Sequence, residues 1–213
     1  MISILDLNLG NIKSLENCLN YMGAKFKKIE TKEDINTAKK IIIPGVGSFD
    51  FAMSFLKKKN YISNLKKFVL IKKKPILGIC IGMQILFNES SEGKEPGLCL
   101  LDGSIIKLKP SNEFKVPNVG FSEAKNYKDL GVFKNLEENL SFYFTNSYAL
   151  KFNKKYNFDN QCIIDHSFKF FGAVQKNNIF GLQFHPELSH TTGLFALKNF
   201  ISKLANKLQR KLL

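Results

Sequence analysis

Three short apolar runs alternate with helical patterns along the first 43 residues, and this alternation limits the possible folds more than any other feature of the sequence. Residues 1–7, 26–30 and 40–43 are predicted to be strands, and residues 14–22 repeat apolar side chains at helical spacing. A second helix is predicted to begin at Thr31. Because parallel strands need a crossover connection, this β-α-β-α-β order predicts a mostly parallel sheet with helices on both faces.

The second half of the chain is dominated by short strands. Apolar runs separated by asparagine-containing turns predict strands at residues 105–108, 120–124, 141–150, 162–166, 170–175 and 179–184. They indicate a mixed or antiparallel C-terminal extension of the sheet, followed by a closing helix at 192–213. The chain has 213 residues, and we expect a single α/β domain over residues 1–213.

A cysteine stands where a predicted strand passes directly into a predicted helix. The apolar run 76–79 is followed at once by Cys80, with Gly78 and Gly82 two residues away on either side. This turn is similar to the nucleophile elbow of G-x-S-x-G hydrolases, and the start of a helix favours a thiolate. Taken alone, the motif is equally consistent with a buried, inert cysteine in an α/β core.

A histidine with a nearby carboxylate supports the catalytic interpretation. The apolar strand 179–184 ends at His185, a proline follows, and Glu187 lies two residues after the histidine. A catalytic thiol needs a base and a third group that orients the base, and these two side chains could serve Cys80 in this way. His166 and His190 lack this setting.

Two glycines follow the strand at 40–43. Gly45 and Gly47 permit backbone angles that turn peptide N–H groups toward a ligand. Ligands of parallel sheets bind at the carboxyl ends of strands, where both this loop and Cys80 are expected. A plain turn before a helix is the other interpretation of the glycine pair.

The charge of the chain leaves two interpretations open. The net charge is +14 and the isoelectric point is near 9.6, which suits nucleic acid or an acidic partner protein. The lysines are scattered, no nucleic-acid motif accompanies them, and Arg210 is the only arginine. This lysine-rich, arginine-poor composition favours genome base composition as the origin of the charge over nucleic-acid binding, and the charge would speed the encounter with an acidic partner protein.

Cysteine spacing and hydropathy predict a cytoplasmic protein. The cysteines form no C-x-x-C pair, which argues against a zinc or redox motif and suits a reducing compartment. No apolar run reaches membrane-spanning length, and the N-terminus lacks the pattern of a signal peptide.

The cysteine and histidine motifs, Gly-Ile-Cys-Ile-Gly-Met-Gln and Gln-Phe-His-Pro-Glu, resemble those of the class I, triad-type glutamine amidotransferases. Within this class the chain is most similar to the glutaminase subunits of imidazole glycerol phosphate synthase. Three further segments support that narrower resemblance: Gly10-Asn11, residues 44–50 and residues 142–148. The resemblance covers essentially the whole chain.

The resemblance implies a flavodoxin-like α/β fold and a Cys-His-Glu triad that acts on glutamine. Cys80 would be the nucleophile, His185 the base, and Glu187 the group that orients the base. Backbone N–H groups near Gly47 and Ile81 would hold the oxyanion, with a loop peptide that must reorient for activity.

The resemblance also implies the remaining features of the reaction. Gln84, Glu92, Ser147 and Tyr148 would bind glutamine, and no metal or cofactor is expected. The partner would be a TIM-barrel cyclase subunit in a heterodimer, which receives ammonia through an internal channel. It would make imidazole glycerol phosphate and AICAR in histidine biosynthesis.

The chain departs from the family pattern at four positions. Asn118 and Phe121 replace the histidine and tryptophan of a usual His-Met-Gly-Trp-Asn stretch, Asn146 replaces a strand histidine, and Leu188 replaces a basic residue. The resemblance places these positions where the partner docks. A paralogous glutaminase for amidination of bacterial surface sugars therefore remains an alternative. A non-catalytic regulatory homologue, or a basic nucleic-acid-binding one, is a further alternative.

Overall fold

The computed structural model describes residues 1–10, 12–128, 131–136 and 140–202. Asn11 of the N-terminal motif and residues 203–213 of the predicted closing helix lie outside this part of the chain. The strands within the described residues are β1 (Ile2–Ile4), β2 (Phe26–Lys28), β3 (Ile41–Ile43), β4 (Ile76–Ile79), β5 (Glu89–Ser90), β6 (Ser104–Lys107), β7 (Asn118–Glu123), β8 (Ser141–Asn146), β9 (Tyr148–Leu150), β10 (Asn160–Ile164), β11 (Phe170–Lys176) and β12 (Ile179–Leu182).

A seven-stranded sheet forms the centre of the described structure, in the order β10-β11-β12-β4-β3-β1-β2. The strands from β12 to β2 run parallel, whereas the β10-β11 and β11-β12 pairs are antiparallel. The predicted mostly parallel sheet with a C-terminal antiparallel extension is therefore confirmed. Strands β4 and β12 are buried along their whole length, as expected for parallel strands covered on both faces.

Helices cover both faces of this sheet, as predicted. Leu15 and Phe200 pack against one face together with Ile42, while Leu56 packs against the other face with Ile41. Neighbouring residues of β3 thus enter opposite cores, which follows from the alternation of side chains along a strand. The α-helices are α1 (Ile12–Tyr21), α2 (Lys32–Thr37), α3 (Phe49–Lys58), α4 (Ile62–Lys66), α5 (Ile81–Gln84) and α6 (His190–Ser202).

Three shorter helical segments complete the described elements. A π-helical segment (Lys67–Ile71) follows α4, and 3-10 turns occupy Gly131–Phe133 and Pro186–Leu188. Within the described residues, no helix combines the length and the apolar character needed to cross a membrane.

The prediction of one continuous strand over residues 141–150 is wrong. The chain bends at Ser147, so that β8 pairs with β7 while β9 pairs with β6 in a separate sheet of β5, β6 and β9. The Ser147 carbonyl accepts the Leu108 N–H at 2.8 Å, and the Asn146 side chain donates to the Tyr148 carbonyl at 3.0 Å. Such a local side-chain bond competes with the strand ladder and stabilises the bend.

Other predicted elements occur with shifted bounds. The predicted strand 1–7 is limited to Ile2–Ile4, and the predicted polar loop 88–97 contains the two-residue strand Glu89–Ser90. The helix after Cys80 is a single turn, Ile81–Gln84. Strand ends depend on partners elsewhere in the chain, which local apolar patterns do not reveal.

Strand β4 and helix α5 are in backbone contact. A Cβ atom at Gly78 would lie 2.2 Å from the Gly82 carbonyl oxygen, and one at Gly82 would lie 1.8 Å from the Ile43 carbonyl oxygen. Both distances are far below van der Waals contact, so only glycine fits at either position. The glycines that flank Cys80 in sequence therefore allow β3, β4 and α5 to pack this closely.

We expect Gly78→Ala to lower the free energy of unfolding by about 3 kcal/mol, because the added methyl group forces α5 away from β4. Urea unfolding monitored by circular dichroism measures this change. Gly23→Ala is the matched control: no atom lies within 4 Å of its added Cβ, although φ is +65°, so a loss of about 1 kcal/mol is expected. Equal losses in the two variants would contradict the packing argument.

Candidate active site

The backbone of Cys80 adopts a conformation that non-glycine residues rarely take. Its φ is 53° and its ψ is −110°, a strain of about 1–3 kcal/mol that proteins retain mainly at functional sites. The Cys80 N–H donates to the Leu182 carbonyl at 2.7 Å, and the Cys80 carbonyl accepts the N–H groups of Met83 and Gln84. The residue is thus held between β12 and the first turn of α5.

His185 and Glu187 form a buried pair beyond the end of β12. His185 Nδ1 lies 2.8 Å from Glu187 Oε1, and both side chains are almost fully buried. The backbone N–H of His185 donates to the Tyr143 carbonyl at 2.8 Å, and the Ser189 hydroxyl donates to the backbone carbonyl of His185 at 2.6 Å. These two bonds hold the backbone of His185, and the contact with Glu187 directs Nδ1 of the ring toward the carboxylate, as a catalytic base requires.

The charges around His185 favour its protonated form. Burial alone would lower the pKa of His185, but interactions with Cys80 and Glu187 outweigh burial and raise it to about 10. His185 Nε2 is buried and accepts or donates no hydrogen bond among the described residues. That nitrogen is therefore available to the Cys80 thiol, and the site is suited to moving a proton from sulfur to imidazole.

One predicted oxyanion donor, the Ile81 N–H, and the peptide N–H that precedes Gly47 are held in other hydrogen bonds. The Ile81 N–H donates to the Gly45 carbonyl, and the Val46 N–H donates to the Leu9 carbonyl, both at 3.4 Å. The Gly45 carbonyl and the Val46 N–H belong to one peptide group. Rotation of that peptide would release the Ile81 N–H and turn the Val46 N–H around, while the assignment of the loop donor to the backbone near Gly47 stays a prediction.

Two of the predicted glutamine-binding positions meet in one hydrogen-bond cluster. Gln84 is buried, and its Nε2 donates to the Tyr148 carbonyl at 3.1 Å and to Gln183 Oε1 at 3.0 Å. Ser147 and Tyr148 stand at the bend between β8 and β9, where the Ser147 carbonyl is bonded to Leu108. The side-chain amide nitrogen of Gln84 therefore positions this bend.

Glu92 is tied to the start of α3. Its Oε2 accepts the Phe49 N–H at 2.9 Å, while the Asp50 carboxylate accepts the N–H groups of Lys94 and Glu95 at 2.9–3.0 Å. Burial raises the pKa of the Glu92 carboxyl group, and the charge of Asp50 adds to this. These reciprocal bonds join the loop that carries Glu92 to the helix that follows the glycine-rich loop.

Sequence reasoning missed Gln183 as a site residue. Gln183 is fully buried, and its Nε2 lies 3.7 Å from Cys80 Sγ while its Oε1 accepts from Gln84. The sequence did contain one indication of its role: Gln183 is a polar residue inside the otherwise apolar run that ends at His185. A buried amide in such a run needs partners, and here the nucleophile candidate is one of them.

Comparison with known proteins gives a consistent match. The family model described as "Glutamine amidotransferase class-I" matches residues 3–204. The chain is 38% identical over 201 residues to "Imidazole glycerol phosphate synthase subunit HisH 2" of Pseudomonas aeruginosa, covering 94% of this chain and 98% of that protein. It is 40% identical over 203 residues to the protein of the same description from Methanococcus maripaludis, covering 95% and 100%.

Solved structures share the fold at low sequence identity. "Crystal structure of glutamine amidotransferase" superposes with a TM-score of 0.71 at 16% identity, over 96% of this chain and 98% of that chain. "Trypanosoma brucei CTPS - glutaminase domain with bound acivicin" superposes with a TM-score of 0.66 at 13% identity, over 97% and 94%. At these identities the likeness concerns the fold alone.

We expect Glu187→Gln to lower the pKa of His185 clearly below 10, because the variant removes the carboxylate charge beside Nδ1. NMR titration of the imidazole Cε1–H signals measures this pKa, with His166 in the same spectra as an internal control. An unchanged His185 pKa would contradict the pairing.

The same variant should change the dependence of stability on pH. A folded-state pKa above the unfolded value of about 6.5 stabilises the fold fully below that value, and this stabilisation is lost as pH rises toward 10. The decline in the free energy of unfolding over this range should therefore be smaller in Glu187→Gln than in the wild type.

Proposed function

We propose that this chain, which belongs to the class I glutamine amidotransferase family and within it to the HisH subunits of imidazole glycerol phosphate synthase, is a glutaminase. It hydrolyses glutamine to glutamate and ammonia, and the ammonia serves a cyclase subunit that makes imidazole glycerol phosphate and AICAR in histidine biosynthesis. One observation carries the proposal: Cys80 stands on a strained strand-to-helix turn beside the buried His185–Glu187 pair.

The chemistry proceeds by covalent catalysis. Cys80 sulfur attacks the carboxamide carbon of glutamine while His185 takes the thiol proton, and Glu187 stabilises the resulting imidazolium. His185 returns the proton to the leaving nitrogen, which departs as ammonia and leaves a thioester on Cys80. Water then attacks the thioester, so that glutamate and the free thiol are regenerated.

The oxyanion of each tetrahedral intermediate needs N–H donors. Rotation of the Gly45–Val46 peptide would present the Val46 N–H beside the Ile81 N–H. Each such donor stabilises the transition state by roughly 3 kcal/mol. The two 3.4 Å bonds that hold the present orientation are long, which supports a loop that rotates on activation.

We assign glutamine binding to Gln84, Glu92, Ser147 and Tyr148. The Glu92 carboxylate suits the α-ammonium group of glutamine, and its second oxygen has no role in the Phe49 bond. The bend at Ser147 and Tyr148 offers backbone groups next to Gln84. The cluster therefore combines a charge for the amino-acid end with fixed polar groups along the substrate.

The ammonia acceptor is proposed to be a separate TIM-barrel cyclase subunit that forms a heterodimer with this chain and receives ammonia through an internal channel. The net charge of +14 favours a fast encounter with an acidic partner face. The described cysteines, Cys18, Cys80, Cys99 and Cys162, are free thiols, which supports a reducing cytoplasmic location.

A second candidate function concerns only the partner. Leu188 is 39% exposed immediately after Glu187, and Asn146 is buried against Asn118. Because the resembling family usually carries charged or titratable residues at these positions, the same glutaminase could supply ammonia for amidination of a surface sugar.

We expect the histidine-pathway cyclase of the same genome, with its nucleotide ligand bound, to raise glutamate release strongly. Cys80→Ala should abolish the gain, because the variant lacks the sulfur that attacks glutamine in the proposed mechanism. A coupled glutamate dehydrogenase assay measures the rate. Stimulation only by a second, paralogous cyclase would favour the sugar pathway, and no release with either cyclase would favour a non-catalytic role.

We expect Glu92→Gln to raise the KM for glutamine about tenfold, because a charge-assisted bond to the substrate ammonium is lost. Steady-state kinetics of glutamate release separate KM from kcat. Glu95→Gln is the matched control, since that carboxylate faces the exposed Lys57 amine at 3.5 Å. The same KM in both variants would refute the assignment of Glu92.

A further inference from the structure

Four amide side chains form a continuous path from the β7–β8 hairpin to Cys80, and we call this path the amide network (Asn118, Asn146, Gln84 and Gln183). Asn118 Nδ2 donates to Asn146 Oδ1 at 3.3 Å, and Asn146 Nδ2 donates to the Tyr148 carbonyl at 3.0 Å. That carbonyl also accepts from Gln84, which donates to Gln183, whose Nε2 lies 3.7 Å from Cys80 Sγ.

Three members of the network are buried, which makes their geometry well defined. Asn146 is 5% exposed, Gln84 is 4% exposed and Gln183 is fully buried. A buried amide that loses a partner is destabilised by about 1–3 kcal/mol. Each link therefore restricts the next one, and the path behaves as a single polar unit within an otherwise apolar region.

The inner end of the network acts on the nucleophile and on the bend that follows β8. An N–H group directed at sulfur limits the orientation of the thiol. The Tyr148 carbonyl is held by two donors at once, which fixes the segment from Asn146 to Tyr148. The same network thus touches both Cys80 and the proposed glutamine-binding bend.

The outer end lies on the β7–β8 hairpin, in which β7 is partly exposed and β8 contacts the backbone of His185. Asn118 pairs in register with Asn146, and the next outward residues of β7, Val119 and Phe121, are 59% and 49% exposed. On β8, the Tyr143 carbonyl accepts the His185 N–H. A displacement of the hairpin would therefore change the hydrogen-bond partners of both Cys80 and His185.

We propose that Gln183 and Asn146 are positioning residues through which the β7–β8 hairpin sets the orientation of Cys80. The inference rests on the proposed role of Cys80 as nucleophile. Gln183 acts on the sulfur directly, and Asn146 acts through the Tyr148 carbonyl and Gln84. Neither residue needs to touch glutamine for this effect.

The test measures alkylation of Cys80 by iodoacetamide, followed by peptide mass spectrometry. We expect Gln183→Met, which keeps the side-chain length and removes the amide, to slow alkylation of Cys80 about tenfold. Asn146→Leu should slow it by a smaller factor and should also raise the KM for glutamine. Cys99 is exposed, so its alkylation in the same molecules should keep the wild-type rate.

Asn64→Leu is the matched control for removal of an amide. Asn64 Nδ2 donates to Asn36 Oδ1 at 3.1 Å, and this bond joins α4 to α2. Neither residue belongs to the amide network. This variant should alkylate at the wild-type rate at both cysteines. If Gln183→Met fails to fold, Asn118→Ala replaces it, with an expected two- to threefold slowing at Cys80 for loss of one partly exposed bond.

Wild-type alkylation rates at Cys80 in Gln183→Met or its replacement would overturn the proposal. Equal slowing at Cys80 and Cys99 would also overturn it, because it would indicate a general structural change. The alkylation measurement needs neither glutamine nor a cyclase. The two proposals can therefore fail independently. Unchanged alkylation in the variants would refute the role of the amide network, whereas a wild type that releases no glutamate would refute the glutaminase assignment.

Discussion

The site depends first on the close packing of β3, β4 and α5. Because Gly78 and Gly82 leave no room for a side chain, α5 begins directly against the two strands, and the chain must turn within one residue. That residue is Cys80, whose φ of 53° is the consequence. The strain is offset by hydrogen bonds to β12 and within α5, so the sheet holds Cys80, the proposed nucleophile, in place without help from a long loop.

Sheet topology then brings His185, the proposed base, to the same edge of the sheet as Cys80. Strands β4 and β12 are parallel neighbours, with Ile79 opposite Leu182, so the residues that follow them leave the sheet at one edge. Cys80 follows its strand immediately, and His185 follows after two further residues. The crossing hydrogen bond from His185 to Tyr143 of β8 fixes the histidine from a second direction. Sites built on strands in this way hold their groups more accurately than sites on loops.

The sequence predicted the local parts of this arrangement better than the distant ones. The strand-to-helix turn at Cys80 and the Pro-Glu pair after His185 are encoded within a few residues, so their patterns could be interpreted directly. The bend at Ser147 was missed because it depends on Leu108, almost forty positions earlier. Gln183 was missed for a related reason: its partners Cys80 and Gln84 lie about a hundred residues away, and only the folded sheet brings them together.

The proposed nucleophile is held more firmly than the proposed oxyanion loop. The bonds that fix Cys80 and His185 are 2.6–3.1 Å long, whereas both bonds that fix the Gly45–Val46 peptide are 3.4 Å long. Each of the longer bonds contributes no more than about 1 kcal/mol. A partner that binds the rotated loop more tightly by about 3 kcal/mol would shift the equilibrium roughly a hundredfold. In the proposed mechanism, activation requires the Gly45–Val46 peptide to rotate, while the strained turn at Cys80 and the histidine remain in place.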